Sequence, residues 1–132
     1  MDYTNLYING LWQEGSGQER FDVLNPATEE VIASVASADI ADADAALDAA
    51  EAAMVIWAAQ TPRHRSEVLR RAWELMTARL EEFARLITLE NGKARADAMG
   101  EAAYAAEFFR WFAEEAVRAD GMITHAPASG AR

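Results

Sequence analysis

Apolar and polar residues alternate in short runs over the first third of the chain and then change rhythm. Leu6-Tyr7-Ile8 stops at Asn9-Gly10, Leu11-Trp12 stops at Glu14-Gly15-Ser16-Gly17, and Phe21-Asp22-Val23-Leu24 runs into Asn25-Pro26. Val31-Ile32-Ala33-Ser34-Val35 adds a run rich in β-branched residues. This spacing predicts three or four short strands, the first two joined at Asn9-Gly10, whose residues both tolerate the positive φ of a tight hairpin turn. Gly15-Ser16-Gly17 reads as a turn, because no strand-and-helix frame or basic residue gives it the register of a phosphate loop. Such strands are too few and too short to stand alone.

After Ser37 the period lengthens to between three and four residues. Ile40, Ala43, Leu47, Ala50, Met54 and Trp57 keep one stripe, with Asp39 placed to cap it and Asp42 and Asp44 to complement the helix dipole. Thr61-Pro62 restarts the chain with a capping hydroxyl and a proline at the first helical position. Leu69, Ala72, Trp73, Met76, Leu80, Phe83 and Ile87 then hold a second face up to Asn91-Gly92, where glycine can take a left-handed stop. A third stripe of Met99, Ala103, Tyr104, Phe108, Trp111, Phe112 and Ala116 runs from about Arg95 to Asp120, with Gly100 as its weak interior point. The expected fold is mostly α, with a small N-terminal hairpin and short strands over 1–36, three long amphipathic helices over 37–121, and a tail over 122–132. The first two helices are expected to pack antiparallel across Ala58-to-Thr61. The aromatics of the third helix are most simply core, although their density also suits one wall of an apolar pocket.

Composition narrows the chemistry. Hydrophobic residues make up 52% of the 132, and seven Gly and three Pro are too few to break that helical reading. Cysteine is absent, which removes disulfides, thiolate metal sites and cysteine nucleophiles from this stretch. The net charge of −10 sits entirely before residue 61, where Arg20 faces eleven acids, while the remainder is balanced. An acidic front half repels phosphate backbones, so nucleic acid is not an expected partner. The N-terminus has no basic segment leading an apolar one, and no apolar run reaches membrane-spanning length, so a soluble, cytoplasmic protein is expected. Glu81-Glu82, Glu114-Glu115 and Glu101 with Glu107 fall in helix repeats where solvated carboxylates are the rule. His64 and His125 lie far apart with no third ligand.

Several segments, in order, resemble a known family. Tyr7-Ile8-Asn9-Gly10-Leu11-Trp12, Leu24-Asn25-Pro26-Ala27-Thr28 leading into Val31-Ile32-Ala33, Leu89-Glu90-Asn91-Gly92-Lys93, Gly100-Glu101 and Trp111-Phe112-Ala113-Glu114-Glu115-Ala116 look like the opening part of NAD(P)-dependent aldehyde dehydrogenases. The stretch around Tyr104-Ala105-Ala106 and Trp111 is most similar to the succinate-semialdehyde branch. The resemblance implies a piece of the α/β aldehyde dehydrogenase fold, from the N-terminal side of its cofactor-binding domain. It implies NAD or NADP for the whole enzyme but no cofactor bound by this chain, since the cofactor strand, oxyanion asparagine, glutamate base, cysteine nucleophile and oligomerisation arm of the family lie beyond Arg132. The chain is therefore expected to be an inactive N-terminal fragment of an enzyme that oxidises succinate semialdehyde. The alternative is a free-standing helical interaction module that keeps the scaffold without the chemistry. By the same resemblance Tyr104 and Phe108 match positions at the substrate entrance, and backbone carbonyls near Leu24 and at Glu90 match a monovalent-cation site. The unmatched apolar helix faces, that of the third helix above all, predict a homo-oligomer.

Overall fold

The computed structural model describes residues 3–119 and Gly121. The expected tail over 122–132, His125 included, lies outside the described residues, as does Asp120. Two strands, β1 (Leu6–Ile8) and β2 (Leu11–Gln13), form an antiparallel hairpin with Ile8 opposite Leu11. Asn9 and Gly10 take φ of 52° and 80°, the doubly left-handed turn that matches strand twist. A second ribbon pairs β3 (Arg20–Leu24) with β4 (Val31–Ala36), and its register shifts between Val23 and Leu24. Four helices follow: α1 (Ile40–Ala58), α2 (Pro62–Ala78), α3 (Leu80–Asn91) and α4 (Arg95–Glu115).

Local chemistry accounts for most helix ends. Asp39 caps α1 in a reciprocal box with Asp42: Asp42 N–H donates to the Asp39 carboxylate at 3.1 Å, and Asp39 N–H to the Asp42 carboxylate at 3.0 Å. Asp42 is buried and also accepts the Ser16 N–H through both oxygens, at 3.1 and 3.0 Å. That bond fastens the turn after β2 to the head of α1. Gly15 is required there, since a Cβ would lie 2.1 Å from the Ser37 carbonyl oxygen. Thr61 caps α2 by accepting the His64 N–H at 3.2 Å, ahead of Pro62. Gly92 closes α3 at φ 74°.

The single long second helix expected from the sequence is two helices. At Arg79 the backbone leaves the helical well (φ −118°, ψ 19°), and the guanidinium turns onto Glu82 through two bonds of 2.8 and 2.7 Å. It also lies 5.6 Å from the centre of the Phe83 ring. A straight helix over 62–91 would run about 45 Å, against about 31 Å for the 21 residues of α4. The break lets both α2 and α3 lie on α4.

The packing corrects two further expectations. Tyr104, Phe108, Trp111 and Phe112 are not core: the buried residues of α4 are Ala98, Ala102, Ala106 and Ala113, on a face roughly opposite the aromatics. A helix packed by two neighbours needs small side chains at the contact, and alanine lets the backbones approach where an aromatic would hold them apart. The first helix does not pack antiparallel on the second along its stripe. Ile40, Leu47, Met54 and Trp57 are exposed, the one buried residue of α1 is Asp42, and α1 rests on β1. Its alanine face, from Ala45 to Ala53, meets the hairpin instead.

Ion pairs line the outer helix faces: Arg70 with Glu67 and Glu74, Arg79 with Glu82, Arg110 with Glu107 and Glu114, Arg118 with Glu115. The Arg70 guanidinium holds Glu67 below its ordinary value, as Arg79 does Glu82 and Arg110 does Glu107, while bonds from Ser16 and the Asp42 backbone hold Asp39 down. A depressed folded-state value stabilises above the ordinary pKa and loses that contribution as pH falls through the folded one. Melting temperature should thus hold from pH 7 to about 5 and fall below the ordinary values of 3.8 and 4.5, the more shallowly in high salt; an unchanged melt at pH 3 would contradict it. The alanine seam makes a second expectation: Ala102→Leu should cost about 1–3 kcal/mol by overpacking, whereas Phe108→Ala, at a half-exposed ring, should cost under about 1 kcal/mol in urea unfolding.

Candidate functional site

An α-helix that buries its alanine face must display the other one. Along α4 that displayed face carries Tyr104, Phe108, Trp111 and Phe112, with Tyr104 67% and Trp111 57% exposed. Tyr104 and Phe108 are one turn apart, and their rings meet edge to face at 4.9 Å between centroids. With Glu107, Trp111 and Phe112 they line a shallow open concavity of about 320 Å³. Phe108 and Phe112 also face a second depression, shared with Phe109 and Leu69 of α2. All the residues that line the first belong to α4.

The one carboxylate in that wall is held in its charged form. Glu107 accepts from Arg110 Nε at 2.9 Å through both oxygens, and the guanidinium lowers its pKa. A carboxylate kept ionised and tied in this way orients its neighbour; it has no proton to give at neutral pH. The other carboxylate pairs noted in the sequence are likewise engaged with cations: Glu81 with Arg95, Glu101 with Lys93, and Glu114 and Glu115 with Arg110 and Arg118. His64 is exposed at the start of α2. Among the described residues no group of three His, Asp or Glu side chains could hold a metal ion.

The sequence-predicted positions fall into two places. Tyr104 and Phe108 come together on α4. Leu24 ends β3 at the register shift, and Glu90 sits in the last turn of α3. The segments that carry these two are neighbours: a Cβ on Gly92 would lie 3.0 Å from Pro26 Cγ, so the turn after Leu24 rests against the end of α3. That turn is held by Asn25, whose side chain accepts the Ala27 N–H and whose carbonyl accepts those of Thr28 and Glu29. Leu69 and Phe109 were not anticipated as part of the aromatic surface. Phe109 adjoins Phe108 in sequence, but only the packing of α2 on α4 brings Leu69 there.

Residues 12–132 match the aldehyde dehydrogenase family. The chain is 56% identical over 97 residues to a succinate-semialdehyde dehydrogenase of Paenarthrobacter nicotinovorans, covering 74% of this chain and 22% of that protein. It is 47% identical over 115 residues to a glutarate-semialdehyde dehydrogenase of Pseudomonas putida, covering 87% of this chain and 24% of that one. In structure it resembles the betaine aldehyde dehydrogenase of Staphylococcus aureus in complex with NAD+, with a TM-score of 0.89 at 28% identity, covering 96% of this chain and 26% of that chain. The chain thus spans about a quarter of the length of the relatives it matches. Four helices and short antiparallel strands correspond to the N-terminal part of that fold, and no described helix is long and apolar enough to cross a membrane. By a family match over nearly its whole length, and by the order of its strands and helices, the chain belongs to the aldehyde dehydrogenase family.

Proposed function

We propose that this chain is the N-terminal segment of an enzyme oxidising the semialdehyde of a short dicarboxylic acid, succinate semialdehyde in the first place, with NAD or NADP. The observation that carries this reading is the displayed aromatic face of α4, whose concavity that helix alone lines. In the proposal Tyr104 and Phe108 border the substrate entrance, where their rings shed water and orient the aldehyde chain. The chemistry needs a thiolate to attack the carbonyl and a nicotinamide to accept hydride. This chain has no cysteine, so it contributes binding surface and scaffold and is inactive unaided.

The strands over 1–36 and the helices over 37–121 are proposed to act as one folding unit within a cofactor-binding domain. The bond from Ser16 to Asp42 supports this by joining the two parts. The Leu24 and Glu90 carbonyls are proposed to face a monovalent cation in the whole enzyme. The contact of Pro26 with Gly92 supports that reading, and the negative end of the α3 dipole favours a cation there. By itself the chain is proposed to associate through the exposed helix faces in a soluble, cytoplasmic setting.

Three measurements test these proposals. Residues 1–121 grafted onto the remaining part of the Paenarthrobacter relative should give an enzyme active on succinate semialdehyde. In that chimera Tyr104→Ala should change kcat/KM between short and long aldehydes by about tenfold, while costing under about 1 kcal/mol of stability because the ring is exposed. The isolated chain should show no saturable binding of NAD or NADP by calorimetry; micromolar binding would place part of the cofactor site in this segment. Light scattering across a hundredfold dilution should show a dimer or larger species, and Phe108→Ser with Trp111→Ser should convert it to monomer; a monomer at every concentration would refute association.

A further inference from the structure

The chain holds two Asn-Gly pairs, Asn9-Gly10 and Asn91-Gly92, and both stand exposed. This dipeptide carries a chemistry of its own. The glycine nitrogen, once it loses its proton, can attack the side-chain carbonyl of the preceding Asn, because glycine has no Cβ to obstruct the approach. A bond forms between that nitrogen and the Asn Cγ, the Cγ–Nδ2 bond breaks, and ammonia departs from the succinimide ring. Water then opens the ring at either carbonyl to give aspartate or isoaspartate, with nothing oxidised or reduced.

The fold separates the two pairs. Asn91 is the last residue of α3, and the nitrogen that would attack it is committed: Gly92 N–H donates to the Thr88 carbonyl at 2.9 Å. Gly92 is also seated against the turn after β3, a Cβ there lying 3.0 Å from Pro26 Cγ. Reaction at Asn91 requires the end of α3 to come apart. At the first pair, Gly10 N–H has no acceptor and the Asn9 side chain no hydrogen bond among the described residues. Beyond its chain neighbours, a Cβ at Gly10 would meet only Tyr7 Oη, at 3.9 Å. The turn joins strands of three residues each, and a ribbon that short opens at little cost.

We infer that Asn9 is a modification site at which this chain deamidates spontaneously, with water as the only co-reactant, while Asn91 is protected by its place in α3. The product acts on the packing around it. Asn9 borders both depressions between the first hairpin and α1, and Asp48 lines one of them. A carboxylate at residue 9 adds a like charge on the side of Asp48, in the half of the chain that already holds the whole net charge. Isoaspartate also lengthens the backbone of a two-residue turn whose register sets Ile8 opposite Leu11. Both changes loosen the hairpin from α1. The inference does not depend on the proposed aldehyde chemistry.

Ageing the whole chain at mildly alkaline pH, folded and in concentrated urea, with peptide mapping by mass spectrometry, tests it. In the folded chain residue 9 should convert about tenfold faster than residue 91, and in urea the two should agree within about twofold, since the dipeptide is the same. Asn9→Gln should abolish the more acidic species that ion exchange separates from the aged protein. Amide exchange over residues 6–13 should be faster in aged than in fresh protein, and faster to a lesser degree in Asn9→Asp, which carries the charge without the longer backbone. Equal conversion at the two pairs in the folded chain, or a difference that survives urea, would overturn the inference. Unchanged exchange over 6–13 in converted protein would overturn the loosening of the hairpin.

Discussion

The close approach of α2 and α3 to α4 governs most of what this segment presents to its surroundings. Two helices can share one face of a third only where that face is made of small side chains, and Ala98, Ala102, Ala106 and Ala113 supply it. Ala84 of α3 is fully buried in the same layer, and Ser66 of α2 is nearly so. No large side chain among the described residues is fully buried. The core therefore gains from the closeness of backbones and many small contacts rather than from a few large apolar groups. Once the alanines are committed inward, helical periodicity leaves the aromatics of α4 no choice but the outside.

The N-terminal half is held by polar bonds where the helical half is held by packing. Asp42 gathers the N–H groups of Ser16 and Asp39 on one buried carboxylate, and the close passage of Gly15 beneath Ser37 makes that meeting possible. Arg20, the single basic residue before Arg63, draws together Asn5, Glu14, the Thr4 hydroxyl and the Ser34 carbonyl. It ties the chain before β1, the end of the first hairpin and the second ribbon to one side chain. Two short ribbons that could not persist alone are thereby fixed to one another and to the head of α1.

These two modes of construction bear on function in the same way. A segment with a thin core and long displayed apolar faces is suited to serve as a wall for something else, as the N-terminal part of a larger dehydrogenase would. The edge-to-face pair of Tyr104 and Phe108 lies on one such displayed face.

Sequence alone determined what depends on neighbours in the chain. Asn9-Gly10 dictates its turn, Asp39 with Asp42 and Thr61 with Pro62 dictate helix starts, and Gly92 dictates a stop, because each acts within a few residues. The order of the short motifs was likewise enough to carry the family, since it needs no coordinates. Tertiary structure decided what depends on competition between faces. A helix with apolar residues on two sides does not announce which side goes in, and α4 resolved it by volume, alanine toward α2 and α3 and aromatics away. The break at Arg79 escaped the pattern because no glycine or proline marks it; it arises from the need of two segments to lie on one shorter helix, reinforced by Arg79 turning onto Glu82 and Phe83. The exposure of α1 has the same origin: its stripe is regular, but periodicity specifies a face and not a partner to cover it.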